Sequence, residues 1–276
     1  MTTIVRSATG AARAGAVAVL LSFTLFPAYF MVISGLSAGA ASGTEVLVPV
    51  RLTLAHFEQV LLHGDFLRYL RNSAVVAIIT VVGSGLLALF AAVAVARFRF
   101  RMRTTVLVMV LVVQMVPLEA LVIPLFLMAR DLRMLNSLIG LAVVYIALSL
   151  PFAVWMLRGF VAAVPVEVEE AAAIDGASWG RTLWSVLLPL AAPGLVACSI
   201  FSFITAWNEF ILALTFMNDS DKFTAAVGLR QFFGLNTTAW GPVMAASTLI
   251  TLPVMVFFLF VQRGLVSGLA AGAVKG

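Results

Sequence analysis

The chain has 276 residues, of which 63% are hydrophobic and only 11% charged, and its mean hydropathy is +1.13. Soluble domains carry roughly 25% charged residues, so the composition excludes a soluble globular protein and points to one built largely inside a bilayer. The net charge of +5 is explained by arginines flanking apolar runs, a matter of membrane topology, and nucleic acid is not an expected partner.

Six apolar segments are long enough to cross roughly 30 Å of hydrocarbon, a task for about 20 residues each: 14–36, 74–96, 104–128, 138–157, 191–217 and 242–262. The expected fold class is therefore all-α, a polytopic six-helix membrane bundle forming one domain over 1–276. Arg6 and Arg13 precede the first segment and the small residues Ala38-Gly39-Ala40 follow it, as in a secretory signal. The apolar run exceeds the roughly 7–15 residues of a signal core, so it is read as an uncleaved anchor. The polar connection 37–71 carries His56 and His63, too isolated to argue for a metal and read as ordinary surface histidines. The second span carries Gly83-Ser84-Gly85 and Ala91-Ala92, which permit close helix packing, and ends in Arg97, Arg99, Arg101 and Arg103.

The third segment contains Gln114, read as glue between helices, then Glu119 between Pro117 and Pro124. A carboxylate at mid-bilayer costs roughly 2.5–3.5 kcal/mol on insertion scales. Proline frees backbone carbonyls, which is tolerated where a helix lines protein or water. Glu119 is thus either a cavity-lining residue or an acceptor for a neighbouring helix. Asn208 and Glu209, in Trp207-Asn208-Glu209-Phe210, raise the same two possibilities in the fifth span. Trp155, Trp207 and Trp240 near span ends fit interfacial belts. The lone cysteine, Cys198, leaves no pair for a disulfide or a thiolate metal site.

Between the fourth and fifth spans lies the most informative stretch, 165–189. Pro165 suits the first helical position, and Glu167, Glu169 and Glu170 place negative charge at that helix's positive end. Gly176 tolerates the left-handed conformation that closes a helix, and Ser178 can cap a second helix running to a break at Pro189. Trp179 and Trp184 are expected to pack that second helix onto the bundle. Placing both termini in the cytoplasm puts Arg97, Arg99, Arg101 and Arg103 on the same side as this loop, as the positive-inside bias requires.

Glu170-Ala171-Ala172, then Asp175-Gly176-Ala177, with Leu188-Pro189 downstream, resembles the EAA loop of the membrane subunits of bacterial ABC importers. Asn72-Ser73, Trp155-Met156-Leu157-Arg158-Gly159-Phe160, Trp207-Asn208-Glu209-Phe210 and the ending Gly272-Ala273-Val274-Lys275-Gly276 are similar to the maltose-type, carbohydrate-importing branch. The resemblance implies a type I importer permease fold, with its core at about 70–265, in a bacterial inner or plasma membrane. It implies that Glu169, Glu170, Ala171, Ala172, Asp175, Gly176, Ala177 and Ser178 form a coupling loop docking on an ATPase subunit. It further implies an ATPase contact by the tail 262–276, with Gln262, Gly272, Lys275 and Gly276, and a binding-protein contact by Asn218, Asp219, Asp221, Lys222 and Asn236 in the loop 218–241. The bland reading of that loop is a solvated connector. Expected partners are a second homologous permease subunit, two ATP-binding subunits, an extracytoplasmic substrate-binding protein and membrane lipid.

ATP and magnesium are expected on those partners, because the chain cannot cradle a nucleotide. A phosphate loop needs Gly-Lys-Ser/Thr, and the two lysines, Lys222 and Lys275, follow Asp221 and Val274. No cofactor, metal or catalytic set is expected in this subunit. The competing reading is a secondary transporter driven by an ion gradient, with Glu119 or Glu209 as its coupling carboxylate. Against it stand the solitary acids and the EAA loop.

Overall fold

A computed structural model describes residues 2–39, 51–234 and 238–273. In chain order these form α1 (Thr2–Leu36), α2 (Ala55–Glu58), α3 (Phe66–Arg97), α4 (Arg103–Gln114), α5 (Leu118–Asp131), α6 (Leu138–Ala163), α7 (Val166–Ile174), α8 (Trp179–Thr182), α9 (Leu188–Asn208), α10 (Ile211–Phe216), α11 (Ala225–Leu229) and α12 (Trp240–Ala273). Among the described residues there is no strand, only the isolated bridges Ser37–Leu52 and Phe233–Thr238. The fold is the all-α membrane bundle the hydropathy predicts. Among the described residues, five stretches are long and apolar enough to cross a bilayer: Arg13–Leu36, Phe66–Arg97, Leu138–Ala163, Trp179–Asn208 and Trp240–Gln262.

The expected third span is the main correction. It is two helices, α4 and α5, bent by 100° at a short break, and it counts as a sixth crossing only if the pair is taken together. Pro117 sits at the break with φ −59° and ψ 133°. Its ring removes a backbone donor and pushes the preceding residue out of helical conformation. The fifth span also differs. The helix starting at Trp179 does not stop at Pro189 but passes through a wide π-helical turn, Leu183–Leu187, into α9. It ends instead at Asn208, leaving α10 as a separate short helix.

The described residues group into two compact units, Met1–Leu67 with Leu229–Leu252, and Arg68–Gly228 with Pro253–Gly276. In the first, His56 is buried, which corrects its reading as a surface histidine. Its Nε2 lies 3.2 Å from the Ser37 carbonyl oxygen at the end of α1. Gly241 faces the imidazole so closely that a Cβ there would sit 2.5 Å from it. In the second unit, α3, α6 and α9 share one apolar core: Ala88, Leu89, Ala92 and Val93 meet Leu157 and Val161, and Leu183, Leu187 and Ala191 close it. A Ser84–Ser202 hydroxyl pair, 2.9 Å apart, joins α3 to α9 inside this packing. Trp207 is buried here, against the expected interfacial position, stacked on Phe203 at 5.3 Å, and Phe203 in turn stacks on Phe257 at 4.0 Å.

Candidate functional site

The loop after α6 folds as a helix, a glycine turn and a second helix. Pro165, at φ −59° and ψ 138°, stands just before α7 and not as its first residue. At the other end Asp175 is the last near-helical residue and Gly176 turns to φ +82°. The Gly176 N–H donates to the Ala173 carbonyl at 3.0 Å, and the Ala177 N–H reaches the Ala172 carbonyl at 2.9 Å. This pair of bonds is the Schellman closure, which satisfies carbonyls that a helix end otherwise leaves open. Ser178 then caps α8, its hydroxyl accepting from the Arg181 N–H at 3.4 Å.

No residue of α7 is buried. Ile174 is 86% exposed, and Val166 and Val168 of the same helix are exposed as well. Trp184 packs edge-on to Phe90 as expected, whereas Trp179 is exposed and does not pack inward. Glu167, Glu170, Ala171, Asp175 and Gly176 are exposed, with Ala172 half-buried. Apolar side chains thus stand in the open on a short helix that joins two apolar spans. Glu169 behaves differently, because it is drawn inward to Arg97 at the end of α3. The Arg97 Nε donates to its Oε1 at 2.7 Å, and Nη2 of the same guanidinium donates to the Val164 carbonyl at 2.8 Å. Sequence reasoning took Arg97 only as a topological charge.

A second polar cluster surrounds the break after α9. Glu209 is buried, and its oxygens accept from the Leu212 and Ala213 N–H groups at 2.8 and 3.0 Å. The Tyr145 hydroxyl of α6 donates to the same carboxylate at 2.5 Å. Glu209 therefore satisfies the open N–H groups at the start of α10, a demand every helix start creates. Asn208, the last residue of α9, and Glu119, in the first turn of α5, are both exposed.

The loop following α10 is bolted down along much of its length. The Asn136 side-chain oxygen accepts from the Asn218 and Asp219 N–H groups at 2.6 and 3.1 Å, and Asn136 itself has φ 54°. Arg68 pairs with the Asp221 carboxylate. Asn72 donates to the carbonyls of Asp221 and Phe223, both at 2.9 Å, and the Ser73 hydroxyl accepts from the Ala225 N–H. Lys222 stays exposed. Asn136 carried no signal in the sequence, and Asn72 and Ser73 were noted there only as part of the family resemblance. In the tail, Gln262 bonds the Leu259 carbonyl within α12, and the helix runs past Gly272 to Ala273. Asn236, Lys275 and Gly276 lie outside the described residues.

Comparison with known proteins gives the family and the fold. The family described as binding-protein-dependent transport system inner membrane component matches residues 84–270. The chain is 40% identical over 260 residues to the diacetylchitobiose uptake system permease protein of Streptomyces coelicolor, covering 94% of each. It is 36% identical to the trehalose/maltose transport system permease protein of Thermococcus litoralis, over 91% of this chain and 92% of that one. A crystal structure of a bacterial ABC transporter involved in the import of the acidic polysaccharide alginate superposes with a TM-score of 0.79. It covers 92% of this chain and 95% of that one at 23% identity, a likeness of fold. The chain therefore belongs to the family of binding-protein-dependent transport system inner membrane components, the multi-pass permease subunits of ABC importers.

Proposed function

We propose that this chain is one of two membrane-spanning subunits enclosing the path of a carbohydrate, or a related polyol or glycerol phosphate ester, delivered by an extracytoplasmic binding protein. The observation that carries the reading is the exposed helix-turn-helix of α7 and α8, with Val166, Val168, Ile174 and Trp179 turned outward. Sugar-transporting relatives with near full-length coverage support the substrate class. ATP and magnesium belong to two partner ATPase subunits. Their closure displaces the docked loop and opens the path to the binding protein. Both termini and the coupling loop are cytoplasmic in this reading, in keeping with the four arginines at 97, 99, 101 and 103.

Asn218, Asp219, Asp221, Lys222 and Asn236 present the outer surface to the binding protein. The tail from Gln262, through Gly272 to Lys275 and Gly276, shares in the ATPase contact. Glu119 and Asn208 face the translocation path, and Glu209 shapes it by holding the break between α9 and α10. A gradient-driven transporter needs a carboxylate free to exchange its ion. Glu209, with three donors on its oxygens, is poorly suited to that role.

The test is uptake by the reconstituted complex with ATP on the ATPase side and labelled disaccharides on loaded binding protein outside. Uptake should need both components and survive ionophores. Uptake without ATP that collapses with the ion gradient would overturn the proposal.

A further inference from the structure

Arg97 is the last residue of α3, and three of the four arginines in its run behave differently from it. Arg99 and Arg101 are exposed and Arg103 begins α4, whereas the Arg97 side chain is only 14% exposed. Its guanidinium reaches two other elements at once. Nε and Nη2 lie 2.7 and 2.6 Å from Glu169 Oε1 on α7, and Nη2 also bonds the carbonyl of Val164 at 2.8 Å. Val164 is the extended corner residue that ends α6, at φ −74° and ψ 124°, where a helix leaves its carbonyls without internal partners.

On α7, Glu169 and Ala172 alone are half-buried. Three residues apart, they share one face, and through Glu169 that face meets Arg97 at the end of α3. Arg97 ends the helix that gives Ala92 and Val93 to the apolar core, and Val164 ends the one that gives it Leu157 and Val161. Packed interiors of this kind move as blocks and do not deform continuously.

We propose that Arg97 and Glu169 form a strut that ties the coupling helix to the end of α3, so that displacement of α7 is carried into α3 and α6 together. In this assignment Glu169 is a positioning residue that acts inward through Arg97, and the ATPase contact falls to the outward residues of α7. The proposal rests on the coupling function proposed for this loop. An arginine suits this place because its rigid, pre-organised fork bonds a carboxylate and a carbonyl simultaneously at little cost in side-chain freedom.

The experiment uses the whole complex in proteoliposomes and reads three quantities: ATPase subunits retained on purification, ATP hydrolysis, and substrate imported per ATP hydrolysed. Arg97→Ala and Glu169→Ala should each lower import per ATP roughly tenfold, the scale of one charge-assisted pair. The double variant should be no worse than either single one, because both remove the same link. ATPase retention should match the unmodified complex in all three. Arg97→Lys keeps the charge that orients α3 but not the fork, and should lose coupling severalfold at a normal level in the membrane.

Additive losses in the double variant would overturn the strut, and so would loss of ATPase subunits from Glu169→Ala, which would make Glu169 a docking contact. Gly176→Val serves as the control for the underlying reading. If it imports normally, the coupling role of the loop fails. If it is inactive while the Arg97 and Glu169 variants import normally, only the strut fails.

Discussion

Replacing Glu209 by leucine tests whether its carboxylate is primarily a cap or a lining of the path. The substitution puts an apolar side chain of comparable bulk in its place but leaves the Leu212 N–H, the Ala213 N–H and the Tyr145 hydroxyl without the acceptor they share. A buried donor left unsatisfied costs about 1–3 kcal/mol, so the complex should lose at least about 3 kcal/mol of stability if the three costs add at their lower end. Tyr145→Phe removes a single charge-assisted bond and should cost about 1.5–3 kcal/mol. The two substitutions are coupled: in the Tyr145→Phe background no hydroxyl is left to orphan, and Glu209→Leu should become cheaper by about 1–3 kcal/mol. Denaturant midpoints of the purified complex, measured for both single variants and the double one, give this cycle directly. Glu209→Leu unfolding together with the unmodified protein while import falls would refute the reasoning and return the carboxylate to the path. Strict additivity would show that Tyr145 and Glu209 do not act as a pair.

Three further outcomes follow from the same geometry. Gly176→Val places a β-branched residue at φ +82°, a left-handed conformation costing an L-residue roughly 1–2 kcal/mol or more; import should be abolished and ATPase attachment weakened, with membrane insertion intact on immunoblots. Single cysteines at Ser178 and Ser220, in a Cys198→Ala background, should label from opposite faces of the membrane, and labelling of both from outside spheroplasts would reject the orientation. Asn136→Ala removes the oxygen that holds the Asn218 and Asp219 N–H groups, so hydrogen exchange at 218–223 should accelerate and stimulation of ATP hydrolysis by the binding protein should fall.

What the sequence determined by itself is what depends on few neighbours. Apolar runs marked the membrane-crossing helices because the bilayer acts on composition and length. The turn at Gly176 and the cap at Ser178 were legible because their hydrogen bonds close within five residues.

Only the tertiary structure decided which polar groups meet. Arg97 finds Glu169 across 72 residues, Tyr145 finds Glu209 across 64, and Arg68 finds Asp221 across 153. No local pattern encodes such pairings, because each depends on how helices pack. Proline shows the same limit from the other side. Pro124, Pro151, Pro193 and Pro253 all lie inside continuous helices, while Pro117 stands at a bend of 100°. The ring removes one donor in every case. Whether the chain then bends or runs on is settled by what neighbouring helices offer the freed carbonyl and the side chains around it. That information is distributed over the whole bundle.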